Sequence, residues 1–423
     1  MHHFEYRNGE MFAEAVPVRR IAKQVGTPAY IYSLATLKRH FRVFDKAFAA
    51  IPHIVCYSVK ANSNIALLRA FVKEGGGLDI VSGGELFRAL KAGADPKKIV
   101  FSGVGKKKEE IEYALSSSIL MFNVESDEEM VVLNEVAAAL GLKAPVSLRI
   151  NPDVDPQTHP YISTGLKKAK FGVDIKRSLE CYRKAVSLPN LEVLGVDCHI
   201  GSQLTSVAPF VDALARVREY LDRVLVGSLK KEGAQIRYLD LGGGLGISYK
   251  DETPPHPEQY AQAIMQGLEG LNITLILEPG RVIVGNAGIL LTEVQYLKET
   301  DEKYFVIVDS GMNDLIRPTL YGSYQAIQPV VEKNSDKIIA DVVGPICETG
   351  DFFAKDREIA KPRRGDLLAI MSAGAYGFTM ASNYNSHPKP PEVLVDGDQY
   401  YVVRARESFE DLIRGEVIPP ELQ

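Results

Sequence analysis

The chain has 423 residues, 46% of them hydrophobic and 24% charged, with a formal net charge of -5. That length exceeds one ordinary core, so two domains are expected, and the interspersed charges favour neither a nucleic-acid partner nor an anionic membrane surface. Cys56, Cys181, Cys198 and Cys347 lie far apart without a CxxC pair, no apolar run reaches the ~18 residues of a membrane span, and MHHFEYRNGEMF lacks a leader pattern; the expectation is a cytoplasmic enzyme without disulfides or a bound metal.

Residues 1–30 precede the first strong strand signal. From there short β-branched runs alternate with helical patterns, the signal for βα units on a parallel sheet. The strand candidates are IVCYSV (54–59), GLDIVS (77–82), KIVFSG (98–103), ILMFNV (119–124), PVSLRI (145–150), LEVLGVDCHI (191–200), IRYLDL (236–241) and TLILEP (274–279). Helical stretches such as GELFRALKAG, SDEEMVVLNEVAAALG and PFVDALARVREYLDRVL lie between them, with caps expected at Asn62-Ser63 and at Ser126. Eight such units over about 250 residues fit a (β/α)8 barrel; a doubly wound sheet is the alternative, because periodicity does not show closure.

After Arg281 runs such as ILLTEVQYL, YFVIVDS, KIIADVVG, DLLAIMSAG, PEVLVDG and QYYVVRA follow one another with hardly a helix between them. They predict an antiparallel, β-rich second domain. The expected division is a barrel over 31–281 and a β-rich domain from 1–30 with 282–423.

A barrel places its chemistry where strands end. Six of the eight strand ends carry an unusual group: Lys60, Asp79 with Ser82, Arg149, His199 to Ser202, Gly242 to Gly246, and Glu278 to Arg281. On position alone Lys60 is a solvated lysine opening a loop; desolvated in a barrel mouth, its amine suits an aldehyde cofactor. Glu278 ends an apolar strand, where it needs either Arg281 as a salt-bridge partner or a pyridinium nitrogen. The GGGLG run serves a tight turn or a phosphate cradle, without Rossmann or P-loop spacing. His199 is either a core histidine or an imidazole stacked on a flat ring.

YSVKAN (57–62), HIGSQ (199–203), DLGGGLG (240–246) and EPGR (278–281), in this order, make the chain similar to the barrel-type, alanine racemase-like pyridoxal-phosphate decarboxylases. The resemblance runs from GTPAYIYS (26–33) to SNYNSHPKPPEVLVDG (382–397). It is most specific in RINPDVDPQTHPYISTGLKKAKFG (149–172), DSGMNDLIRPTLYGSY (309–324) and GPICETGD (344–351).

The resemblance implies pyridoxal 5'-phosphate bonded to Lys60, with Asp79 in the cofactor set, Glu278 on the pyridine nitrogen and His199 against the ring. Gly242, Gly243, Gly244, the Gly280-Arg281 backbone, Ser202 and Tyr376 would surround the phosphate. Cys347, as proton donor, and Glu348 would cross a homodimer interface into the partner's site. The chain departs from the family at His387, where an arginine is usual, and at Gly322, where a bulkier polar residue is common.

Within that group the chain is similar to the members that take meso-2,6-diaminopimelate, at its D-centre, to L-lysine and carbon dioxide. Arg281 and Arg317 suit a distal carboxylate, Glu348 a distal ammonium, and Tyr321 and Tyr376 add hydroxyls. The rivals are decarboxylases of ornithine, arginine or carboxynorspermidine on the same fold, an amino-acid racemase, and a non-catalytic relative.

Overall fold

A computed structural model describes residues 2–155, 164, 170–221 and 236–423. The chain forms two compact units, Leu37–Ile283 and Met1–Thr36 with Val284–Gln423.

In the first unit the strands are β1 His53–Ser58, β2 Gly77–Ile80, β3 Ile99–Phe101, β4 Met121–Val124, β5 Ala144–Asn151, β6 Leu191–Asp197, β7 Tyr238–Asp240 and β8 Thr274–Leu277. Each pairs in parallel with the next, and β8 pairs with β1, which closes the barrel and excludes the open sheet. All eight fall on runs legible in the sequence.

Side chains two apart on a strand share a face. Cys56, Val100, Met121, Leu194 and Ile276 form a dry layer inside the barrel, with Tyr238 packed against it. Two residues further along their strands stand Ser58, Ser102, Asn123, Asp240 and Glu278, which therefore point inward one layer nearer the C-terminal rim. Period-two geometry alone lifts polar groups from an apolar floor to the mouth.

The helices start where capping chemistry permits. Ser126 accepts the Glu129 N–H ahead of Asp127–Leu140, as expected, and Ser82 caps Gly83–Lys91. The helix Ile65–Lys73 is capped by Asn64, not by Asn62-Ser63, because Asn62 instead accepts the Asn64 N–H. The stretch beginning PFVDAL forms Ala208–Tyr220; its last residues, 222–225, lie outside the described residues, as do 156–163 and 165–169 of the 149–172 segment.

In the second unit the sheet order is Phe352–Ala360, Lys337–Val343, Tyr304–Val308, Gly288–Glu299, Ala29–Ser33, Glu392–Asp396, Gln399–Arg404. The expected antiparallel, β-rich character holds for most pairings, but Tyr304–Val308 runs parallel to Lys337–Val343, and Ala29–Ser33 parallel to Glu392–Asp396. Long connections between those strands permit both pairings. Residues 31–36 also belong to this unit rather than to the barrel, because Ala29–Ser33 is a central strand of the sheet. Its core packs Met11, Val16, Ile31, Ile289, Leu291 and Val393. Among the described residues, no helix is long and apolar enough to cross a membrane.

Candidate active site

Lys60 leaves β1 in a short 3-10 turn and directs its Nζ to Asp79 Oδ2 at 2.5 Å. Asp79 is fully buried and also accepts the Ser58 hydroxyl at 2.6 Å, while its buried Oδ1 meets no hydrogen-bond partner among the described residues. A buried carboxylate with spare acceptor capacity holds an amine in place and leaves room for a further donor.

Glu278 stands just past β8. Its Oε1 accepts the Ser102 hydroxyl at 3.2 Å and the Asn123 amide at 3.4 Å. The same Asn123 amide donates to Asp240 Oδ2 at 3.1 Å, and Asp240 Oδ1 accepts the Gly242 N–H at 2.8 Å. Burial, then the neighbouring Asp240 and Asp79 carboxyls, pushes Glu278 well above the usual carboxylate range, against the pull of Lys60. Burial likewise lifts Asp240 to about 6. These acids crowd one small volume, so they cannot all ionise together. Burial and this crowding favour the protonated form of Glu278.

Arg149 neutralises the other side of the mouth. It donates to Glu125 Oε1 at 2.8 Å, lies 3.7 Å from Asp197 Oδ2, and sits 4.8 Å from the Phe171 ring centroid. His199 accepts the Gly243 N–H at Nδ1, 3.2 Å away. Burial, then the Arg149 and Lys60 cations, holds its imidazole well below the ordinary value, which favours the neutral ring.

The glycine run between β7 and β8 cannot carry side chains. At Gly242, with φ 63°, a Cβ would lie 2.5 Å from the His199 ring; at Gly243 it would lie 2.2 Å from the Glu278 carbonyl. Gly244 continues the same turn. Arg281 is buried and donates to Tyr249 Oη at 2.7 Å and Ser202 Oγ at 3.0 Å, joining the rim segments after β6, β7 and β8. Gly280 immediately precedes it.

These features fit pyridoxal phosphate. The side-chain-free turn beside Ser202 and Arg281 suits a phosphate, His199 offers an aromatic face, and Glu278 brings a buried carboxyl for a ring nitrogen. Lys60 supplies the amine, held by Asp79.

Lys60, Asp79, His199, Ser202, Gly242, Gly243, Gly244, Glu278, Gly280 and Arg281 are thus brought together in the barrel unit. The remaining expected residues lie in the β-rich unit. There Arg317 is buried at the start of the short helix Arg317–Tyr321, with its guanidinium 5.3 Å from the Tyr321 ring centroid. Gly322 ends that helix at φ 59°, a left-handed cap that glycine adopts without strain, which accounts for its departure from the family pattern. Thr319 Oγ1 donates to the Gly350 carbonyl, tying this helix to the loop of Cys347 and Glu348, both exposed. Tyr376 stands at φ 55°. Burial raises the Asp351 carboxyl, and the Met312 and Ile346 N–H groups and then His387, the other departure, partly offset that rise.

Sequence reasoning missed Ser58, Ser102, Asn123, Glu125, Ser147, Asp197, Asp240 and Tyr249. For those on or just past strands the signal was a polar residue at a period-two position of a run otherwise apolar, as in MFNV, LGVD and YLD; Tyr249, on the loop after β7, carried no such signal.

The pyridoxal binding domain of the pyridoxal-dependent decarboxylases matches residues 34–285, which places the barrel in that class of enzymes. A diaminopimelate decarboxylase of Vibrio cholerae is 53% identical over 423 residues, all of both chains. A diaminopimelate decarboxylase of M. jannaschii, solved with L-lysine, superposes at a TM-score of 0.93 with 40% identity, covering all of both chains. That of Helicobacter pylori, also solved with L-lysine, gives 0.90 with 44% identity, covering 94% of this chain and 98% of its own. The chain belongs to the diaminopimelate decarboxylase family.

Proposed function

We propose that the chain converts meso-2,6-diaminopimelate into L-lysine and carbon dioxide, acting at the D-centre, as the last step of lysine synthesis in the cytoplasm. The observation that carries the substrate assignment is the presence of both kinds of group, the buried arginines Arg281 and Arg317 and the exposed acid Glu348 offered across the dimer. A distal carboxylate and a distal ammonium on one carbon call for such a pair; a plain diamine end calls for acids alone.

Pyridoxal phosphate, when bound, supplies an electron sink for the charge left at Cα as carbon dioxide departs. Lys60 is its anchoring amine, and Asp79 Oδ2 keeps Nζ at the barrel mouth. Glu278 pairs with the ring nitrogen and keeps it protonated, with Asp240 and Asn123 beside the carboxyl. His199 covers one ring face. Ser202, Gly242, Gly243, Gly244, Gly280, Arg281 and Tyr376 bind the phosphate. Arg281 and Arg317 orient the substrate's distal carboxylate, Glu348 takes its ammonium, and Tyr321 and Tyr376 add hydroxyls. Cys347 gives the proton from Sγ to Cα.

The active form is a homodimer in which Cys347 and Glu348 reach the partner's site, so dilution to monomer abolishes turnover. The purified protein with pyridoxal phosphate is expected to release lysine from meso-diaminopimelate. Faster turnover of ornithine or arginine would overturn the substrate assignment.

A further inference from the structure

The SNYNS segment (382–386) has no part in the chemistry assigned above, yet it holds the loop that does. The side-chain Oδ1 of Asn385 accepts the backbone N–H of Cys347 at 2.8 Å. Asn385 does so from φ 53° and ψ 25°, a left-handed conformation that asparagine tolerates better than most residues with a Cβ. The residue before it, Tyr384, turns its phenol to the Glu348 carboxylate, so adjacent side chains of one segment meet both functional residues of the loop.

The segment is itself anchored. Its Ser382 N–H donates to the Asn313 carbonyl at 2.8 Å, and Asn383 Nδ2 donates to Glu407 Oε2 at 2.6 Å and the His387 carbonyl at 3.1 Å. From the opposite side buried Asp351 accepts the N–H groups of Met312 and Ile346, each at 2.7 Å. Asp351 thereby fixes where the loop starts, and Asn385 fixes the peptide from which the Cys347 side chain departs.

A solvent-exposed N–H finds water if no side chain meets it, so the Asn385 bond adds little to folding. Proton delivery is far more demanding, because it needs donor and acceptor within hydrogen-bond reach. A misplacement of about 1 Å can cost on the order of a hundredfold in rate. We propose that Asn385 is a positioning residue for Cys347, pinning its peptide so that Sγ is presented to the carbon it protonates. The inference rests on the assignment of Cys347 as proton donor.

Asn385→Gly keeps the left-handed backbone and removes the amide, whereas Asn385→Asp restores an acceptor oxygen. Both are compared with wild type and Cys347→Ala as cofactor-loaded enzymes. The readouts are kcat, KM for meso-diaminopimelate, solvent deuterium isotope effect, cofactor absorbance and unfolding temperature. For Asn385→Gly, kcat is expected to fall about tenfold or more with KM within about twofold. Its isotope effect rises as proton delivery becomes limiting, while absorbance and unfolding temperature stay put. Asn385→Asp recovers kcat to within about threefold of wild type. Wild-type kcat in Asn385→Gly, a loss confined to KM, or no recovery in Asn385→Asp would overturn the positioning role. With Cys347→Ala slow and Asn385→Gly normal, only that role falls. With Cys347→Ala as fast as wild type, the proton-donor assignment falls and takes it along.

Discussion

Gly243→Ala tests how tightly the glycine turn is built against the acid end of β8. A Cβ there would lie 2.2 Å from the Glu278 carbonyl oxygen and 3.1 Å from its carbon, where ordinary contact begins at 3.4 Å. The opposing atoms are backbone and are held in place. The Glu278 N–H donates to the Gly242 carbonyl at 2.7 Å, the Ser58 N–H to the Pro279 carbonyl at 3.1 Å, and the Ser58 hydroxyl to the Glu278 carbonyl at 3.3 Å. Gly243 has no left-handed φ, so alanine suffers from the clash alone. Two strand ends must separate by about 1 Å, at a cost of about 2–3 kcal/mol. Unfolding temperature should drop by roughly 5–10 °C. Because the displaced residue is Glu278, pyridoxal phosphate should also bind about tenfold more weakly or worse, a loss of ~1.4 kcal/mol. Thermal unfolding with and without cofactor, and a spectrophotometric cofactor titration, measure both. Gly105→Ala, which meets nothing within 4 Å, serves as control and should shift stability by less than about 0.5 kcal/mol. Wild-type melting and wild-type cofactor affinity in Gly243→Ala would refute the packing argument.

Lys60→Ala should abolish the absorbance of lysine-linked cofactor; if the band survives, a different amine carries it. Arg317→Ala should raise KM for meso-diaminopimelate at least about tenfold with an unchanged cofactor spectrum, and an unchanged KM removes it from the substrate site. Burial holds the Glu85 carboxyl up to about 7 from 4.5, against the Val81 N–H and the Lys60 charge. The native state therefore binds more protons than the unfolded chain between those values, so this group's contribution to stability falls as pH rises from 4.5 to about 7 and stays low above. Glu85→Gln should gain about 1–2 kcal/mol near pH 8, reduced from the full shift by residual solvent contact, and nothing below about pH 4.5. A pH-independent difference between the two unfolding curves would contradict that origin.

The sequence by itself determined the elements and the anchors. Eight β-branched runs with capped helices between them have few folds open to them, and an amine, an acid and a glycine run at strand ends already outline a cofactor rim. Residue type and strand position are local properties, so they survive without coordinates. Closure was different: the pairing of β8 with β1 joins residues more than two hundred positions apart, and no periodicity encodes it. The same holds for Ala29–Ser33, whose partners lie at the far end of the chain and moved the unit boundary.

Charge in the mouth was also a tertiary decision. Asp197, Asp240 and Glu278 come from three strands, and only their convergence in a buried volume raises their carboxyls above the usual range. The loop of Cys347 shows the contrast most plainly. Its cysteine and glutamate are legible as residues in GPICETGD, but the direction of a side chain depends on what holds its peptide. That is set by Asp351, a near neighbour in the chain, together with Asn385, which only folding brings to the loop.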